Sequence, residues 1–213
     1  MSEIRFRLAK PSDRKQIAAL HYKVRDSYSV GYFSQMGKSF LNQYYKIVLD
    51  DPYEVFIVAE DLTGKIQGFC SATLDVNKQF ERMRKYKILM GLSAIPSFLR
   101  KPSLIKETFK RYNATKGKGE DKYIPKSGAR CEYWTWDYDN KDSASSVALF
   151  NIYLAVLHQL GVEKFPLDVD LVNKKVLAFH KLNKAKVVEE IVLSDGRPRA
   201  LMEYNLKERF TKK

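Results

Sequence analysis

Two stretches in the second half of the chain constrain its fold more than anything else in it. Residues 131–138 are dense in aromatic side chains, which suit a strand. After a polar turn at 139–143, residues 147–160 are almost wholly apolar apart from Asn151, His158 and Gln159, and the run is stopped by Gly161. An apolar segment of that length predicts a buried helix. A strand at 165–169, an amphipathic helix at 173–182 and closing strands at 186–193 and 199–206, around Asp195 and Gly196, complete the half. A helix that links two strands, twice in succession, implies right-handed crossovers and some parallel pairing.

The first half is read from its periods. Ile4, Phe6 and Leu8 alternate with Arg5 and Arg7, which predicts a strand over 3–8 with one face buried. Ser12 offers an N-cap and Asp13 a first-turn carboxylate, and Ile17, Leu20, His21, Val24 and Tyr28 then fall at helical spacing. A loop through Gly31 and Gly37 leads to a second helical stripe of Phe40, Leu41, Tyr44, Tyr45 and Val48, stopped at Asp50, Asp51 and Pro52. Residues 55–59 and 66–74 are β-rich, and the turn at 61–64 joins them as a hairpin. The order is β-α-α-β-β-insert-β-α-β-α-β-β, read as one domain over residues 1–213.

Charge singles out the insert. Net charge is +13, yet residues 75–128 alone carry 14 basic and 5 acidic side chains, against 10 and 8 before them and 14 and 12 after. A basic segment between two nearly balanced ones suits an anionic partner on the substrate side. Phe80, Met83 and Tyr86 predict one basic amphipathic helix there, and Leu104, Ile105, Phe109 and Tyr112 a second. Between them, residues 88–99 are mostly apolar but broken by Gly91 and Pro96, and residues 115–119 read as a mobile loop. No stretch reaches the roughly 18 apolar residues of a membrane span, and the start lacks the pattern of a signal peptide. Cys70 and Cys131 are too few for a disulfide framework and, with three scattered histidines, give no spaced metal site, so a reducing cytoplasm is the expected setting.

The junction residues carry a resemblance. The opening 4–13, IRFRLAKPSD, looks like the first strand and helix start of the GNAT superfamily of acyl-CoA N-acyltransferases. Ile66, Gln67 and Gly68 look like its "I-x-G" third strand. Residues 169–180, VDLVNKKVLAFH, are similar to its "V-x-x-x-N-x-x-A-x-x-x-Y" strand-to-helix junction. The resemblance implies a central mixed, mostly antiparallel sheet flanked by helices, with the helical insertion between strands three and four. It also implies transfer of an acetyl group from acetyl-CoA to a primary amine by direct attack, without a metal.

The same resemblance assigns site residues. The family's cofactor loop, Q/R-x-x-G-x-G/A, matches Lys141, Asp142, Ser143, Ala144, Ser145 and Ser146, so both glycine positions carry side chains here. Such a loop must turn backbone N–H groups onto a pyrophosphate at a helix N-terminus; alternatively, Asp142 or Ser143 simply caps the helix. Backbone groups of Trp136, Asp137 and Tyr138 would hold the pantetheine arm, and Asn173 the CoA arm, with helix capping open for Asn173 as well. His180 stands in the place of the family's tyrosine as a general acid, or else packs, while Lys184 and Ala185 replace Gly-Phe at the helix exit.

An alkylammonium must lose a proton before it attacks, which directs attention to Glu132 and Asp137 as bases. Five positions apart, they would point to opposite faces of a regular strand. Glu132 is preferred, because Asp137 sits at the turn. Trp134 and Trp136 share a face, for packing on the buried helix in preference to walling the acceptor, Cys131 is expected to be inert, and His21 and His158 are expected in the core. The basic, aromatic insert suits a phosphorylated acceptor such as an amino sugar, in preference to nucleic acid or a membrane surface. The alternative is a non-catalytic protein of this fold that binds an anionic partner through the insert.

Overall fold

The computed structural model describes residues 3–25, 32–114, 127–192 and 196–211. Tyr28, Gly31, the loop at 115–119, Tyr123, Leu193 and Asp195 lie outside them. Strands β1 (Ile4–Leu8), β2 (Glu54–Asp61), β3 (Ile66–Thr73) and β4 (Arg130–Trp136) form one sheet in that spatial order. Strands β5 (Lys164–Asp170), β6 (Lys186–Val192) and β7 (Pro198–Asn205) form a second, in the order β5-β7-β6. The hairpin expected at 61–64 is β2–β3, closed by Asp61: its Oδ1 accepts N–H groups from Thr63 and Lys65, and Gly64 takes φ +81°.

The first sheet lies between two cores. On one side α7 (Ser143–Gln159) packs Phe150, Tyr153 and Leu157 against Ile57, Cys70 and the inner face of β5 and β7. On the other, α1 (Arg14–Val24), α2 (Tyr32–Gln35) and α3 (Lys38–Val48) bring Ile17, Met36, Leu41 and Tyr45 against Phe56, Val58 and Phe69. Burial on both faces explains why β2 and β3 read as continuous apolar runs, not as alternations. Ser12 does not cap α1. It sits within a 3-10 turn, Pro11–Asp13, where the Asp13 carboxylate accepts from the Lys10 N–H and from Arg7.

All ladders among the described residues are antiparallel, so the parallel pairing expected from the crossovers is not formed. β4 and β5 run close beside each other, but β4 bonds only to β3 and β5 only to β7. A bulge in β4 bends that strand and contributes to the divergence. The expected insertion lies between β3 and β4, and its ends meet where the Val76 N–H donates to the Gly128 carbonyl. It holds α4 (Val76–Lys85), capped by the Asp75 carboxylate, then α5 (Lys87–Arg100) and α6 (Ser103–Ala114). The apolar run at 88–99 is thus a continuous helix despite Gly91 and Pro96. The insert shares the second core through Ala94 and Leu104.

Gly68 of β3 is required by its neighbour across the ladder. A Cβ there would lie 2.3 Å from Trp136 Cε3 and 2.9 Å from the Thr135 carbonyl oxygen. Gly68→Ala is expected to cost about 1–3 kcal/mol, the usual range for overpacking. Urea denaturation measures it, and an unchanged midpoint would mean that Trp136 has room to move.

Candidate functional site

The seam between β4 and β5 gathers the polar groups that the two cores exclude. Ser71 pairs with Tyr133 and Ala72 with Cys131, which leaves Glu132 as the extra residue of the β4 bulge. The bulge resets the alternation: Cys131, Trp134 and Trp136 face α7, whereas Tyr133 faces α1 and α3. Glu132 and Asp137 therefore do not point to opposite faces. The Tyr44 hydroxyl on α3 donates to Glu132 at 3.3 Å, and Lys23 on α1 pairs with Asp137 at 2.5 Å, so both carboxylates lie on the α1–α3 side.

Around Glu132 a network crosses from the insert to the second sheet. Arg130 holds the Glu132 carboxylate through Nε and Nη2, at 2.9 and 2.5 Å, and also donates to Gln79 of α4. Gln79 in turn donates to Glu54, whose second oxygen is buried without a partner among the described residues. Burial, reinforced by the Glu132 charge, pushes the Glu54 carboxyl well above its ordinary range. From β5, Asp168 feels both Arg130 and Glu132 and pairs with Arg199 of β7 at 2.6 Å. Desolvation raises the Asp168 carboxyl, with Arg199 and Arg130 opposing, yet 23% of its side chain reaches solvent. A carboxyl that is raised by its surroundings and still reached by water suits proton transfer. In the sequence, Asp168 shows only as the outward position of an alternating strand.

The other candidate carboxylate is engaged. Asp137 is buried; burial alone would raise its carboxyl, but the hydrogen bond from Lys23, the Asp139 N–H and the charge of Lys65 hold it below the ordinary range. Its backbone continues the β4 edge, donating to the Gln67 carbonyl at 2.7 Å. Tyr138 lies half exposed beneath the Lys23 ammonium, 5.1 Å from ring centre to nitrogen. Trp136 packs toward α7 and donates its indole N–H to the Asn140 carbonyl.

At the start of α7 the capping alternative is realised. The Asp142 carboxylate accepts from the Ser145 N–H at 2.9 Å and the Ser145 hydroxyl at 2.7 Å, which holds it below the ordinary range. The Asp142 N–H itself donates to Asn140, and the Ser143 N–H to the Lys141 carbonyl, while the Lys141 ammonium rests on the Tyr138 carbonyl. Ala144 and Ser146 lie in the first turn, where the Ser146 N–H already donates to the Asp142 carbonyl. A negative charge thus sits where the helix dipole and orphan amides attract one. Asn173 caps α8 (Lys174–Leu182) by accepting from the Val176 N–H at 3.3 Å.

His180 is inside the core. It packs against Trp134, Phe150 and Phe179, and its Nδ1 lies 2.8 Å from the Tyr204 hydroxyl. Burial lowers its pKa to about 4, so the ring is neutral at physiological pH and no imidazolium is at hand there. His21 repeats the arrangement with Tyr45 in the second core, at 2.6 Å, and its pKa is likewise lowered to about 4. His158, expected in the core, instead stacks half-buried on Phe210 of α9 (Leu206–Thr211). Cys131 is half-buried, and desolvation pushes its thiol up to about 12, which makes it inert. After α8, Lys184 takes φ +71° and the Ala185 N–H reaches back to the His180 carbonyl. Lysine here adopts the left-handed cap conformation that Gly161 supplies after α7.

Three solved structures match this arrangement end to end. An N-acetyltransferase from Staphylococcus aureus Mu50 superposes with a TM-score of 0.60 at 13% identity, over 96% of this chain and 99% of that one. An acetyltransferase of the GNAT family from Streptococcus pneumoniae does so at 0.58 and 11%, over 95% and 98%. Arabidopsis thaliana NAA60, in complex with acetyl-CoA, does so at 0.57 and 16%, again over 95% and 98%. The fold is the GNAT fold. No family model and no curated protein matches the sequence itself. The GNAT architecture expected from the sequence is therefore present, with its helical insertion between β3 and β4, at 11–16% identity to these three structures. Within this GNAT fold the loop at 141–146 opens α7 and Asn173 opens α8, while the seam between β4 and β5 carries Glu132 and Asp168.

Proposed function

We propose that the chain transfers an acetyl group from acetyl-CoA to a primary amine held at the β4–β5 seam. The observation that carries this reading is the pair of unladdered strands in a GNAT fold. β4 ladders with β3 and β5 with β7, and the two form no ladder with each other along the edges that face. An extended pantetheine arm with two amides can add to such an edge as a further strand does. The thioester would then lie beside the bulge, against a β4 amide that polarises its carbonyl.

In this reading Glu132 orients the incoming ammonium and Asp168 takes its proton. The amine nitrogen bonds to the acyl carbon, the carbon–sulfur bond breaks, the second proton that the nitrogen must lose passes to the departing thiolate, and the proton held by Asp168 is released to solvent. His180, neutral and engaged with Tyr204, shapes the wall and carries no proton across the step. Arg130, Arg199 and Arg197 stand among these carboxylates, since Arg197 pairs with Asp170 at 3.6 Å. Mixed charge of that kind suits an amine that also bears an anionic group, which supports a phosphorylated amino sugar as the acceptor class.

One observation favours a second reading, in which the fold is retained for binding alone: the Asp142 carboxylate occupies the anion position of α7. Calorimetric titration with acetyl-CoA and with CoA distinguishes the two. Binding tighter than about 100 μM, roughly 5.5 kcal/mol, is expected for the acetyltransferase. If the pyrophosphate lies at α7, Asp142→Asn tightens it about 3- to 10-fold by removing the competing charge, and Lys141→Glu weakens it by about 1–3 kcal/mol. Absence of binding at millimolar ligand would overturn the acetyltransferase reading in favour of the second.

A further inference from the structure

We propose that α5 docks the protein on an anionic lipid surface, lying flat with its outward face among the headgroups. The helix is apolar on two faces. Its inner face is Ala94 and Ser97 with Met90 and Phe98 half-buried against the second core, and the Ser97 hydroxyl accepts the Gly37 N–H at 2.9 Å to seat the helix beside α3. Its large aliphatic side chains, Ile88, Leu92, Ile95 and Leu99, point outward and are between 46% and 80% exposed. Their spacing of four, three and four residues makes one continuous stripe. Gly91 and Pro96 lie in the same exposed face and add no polar group to it.

The charge around the stripe selects the occupant. Lys87 and Arg100 close its two ends, no acidic residue lies in α5, and the described residues 75–114 of the insert carry 10 basic side chains against 3 acidic. Lysine and arginine at the edges of an aliphatic face reach up to phosphate while their stems and the stripe enter the headgroup boundary. A second copy of the chain docking through the same face would bring two basic rims together. Nucleic acid would meet aliphatic side chains where it needs stacking rings. At 14 residues the helix is about 21 Å long, and among the described residues no helix is long and apolar enough to cross a membrane, so a flat pose is the one available.

The test uses the full chain and vesicles, and it is independent of acetyl transfer. Sedimentation with phosphatidylcholine vesicles containing about 30 mol% phosphatidylglycerol is compared with pure phosphatidylcholine vesicles, at low and high salt. Binding to the anionic vesicles is expected, with little to the neutral ones, and Leu92→Glu should weaken it roughly tenfold or more. Because Leu92 is exposed, the variant keeps its fold, which circular dichroism checks. Lys87→Glu with Arg100→Glu should weaken binding to a similar degree and remove most of the salt dependence. Failure to bind the anionic vesicles overturns the proposal. So does binding that Leu92→Glu leaves unchanged, which is surface adsorption by charge alone. Sedimentation velocity showing a dimer that Leu92→Glu dissociates, with no vesicle binding, would assign the stripe to a second copy instead.

Discussion

Acidifying the protein from pH 7 to pH 5 should cost about 2 kcal/mol of stability for each of His21 and His180, rising to about 3 kcal/mol each by pH 4. Both rings are buried against a tyrosine hydroxyl, and burial lowers their pKa from 6.5 to about 4. In the unfolded chain they protonate near 6.5. Between those values the unfolded chain binds more protons, so stability falls as pH drops through 6.5 and the loss is complete below 4. Glu54 and Asp168, raised in the fold, act in the opposite sense, since protonation relieves them. Urea midpoints across pH 7 to 4 for the parent and for a His21→Gln, His180→Gln double variant separate the contributions. The parent should lose stability more steeply than the variant between pH 6.5 and 5. Parallel profiles would show that the two rings titrate alike in the folded and unfolded chain.

The second large effect concerns turnover. Asp168→Asn is expected to lower kcat by about 10²- to 10⁴-fold, the usual contribution of a positioned base. Glu132→Gln, which removes the charge proposed to orient the ammonium, should act mainly on KM. The pH–rate profile adds an independent reading. Because desolvation raises Asp168, the acidic limb of kcat/KM should lie above the ordinary carboxylate range and be absent in Asp168→Asn. An unchanged kcat in Asp168→Asn, alongside a large loss in Glu132→Gln, would transfer the base to Glu132. The measurement requires an acceptor, which a panel of phosphorylated and plain amines assayed for released thiol can supply.

Much of the scaffold was legible because it follows local periods. The alternation of Ile4, Phe6 and Leu8, the apolar run closed by Gly161, and Gly68 in its strand each depend on near neighbours, and each lies in the element expected of it. Asn173 also caps a helix, as its sequence context allows. What escaped depends on geometry between distant segments. The β4 bulge cannot be seen in the sequence around Glu132, yet it moves Glu132 and Asp137 to one side of the sheet. Gly91 and Pro96 are helix breakers by propensity, and α5 runs through both because its inner face is seated on α3. Asp168 gains its character from Arg130 and Arg199, which lie 38 and 31 residues away in sequence. The parallel pairing failed for a related reason: crossovers determine which strands are neighbours, and a local distortion then keeps β4 and β5 apart.

The placement of the insert bears on the order in which the chain folds. β1 to β3 include a tight hairpin, whereas Thr73 and Arg130 must come together across the whole insert before β3 and β4 can pair. Closing so long a loop costs entropy before any ladder bond repays it, unless α4 to α6 fold first and bring Val76 beside Gly128. The ladder that builds the seam is thus the slow one. Chains halted before it would hold β1 to β3 paired and no seam between β4 and β5.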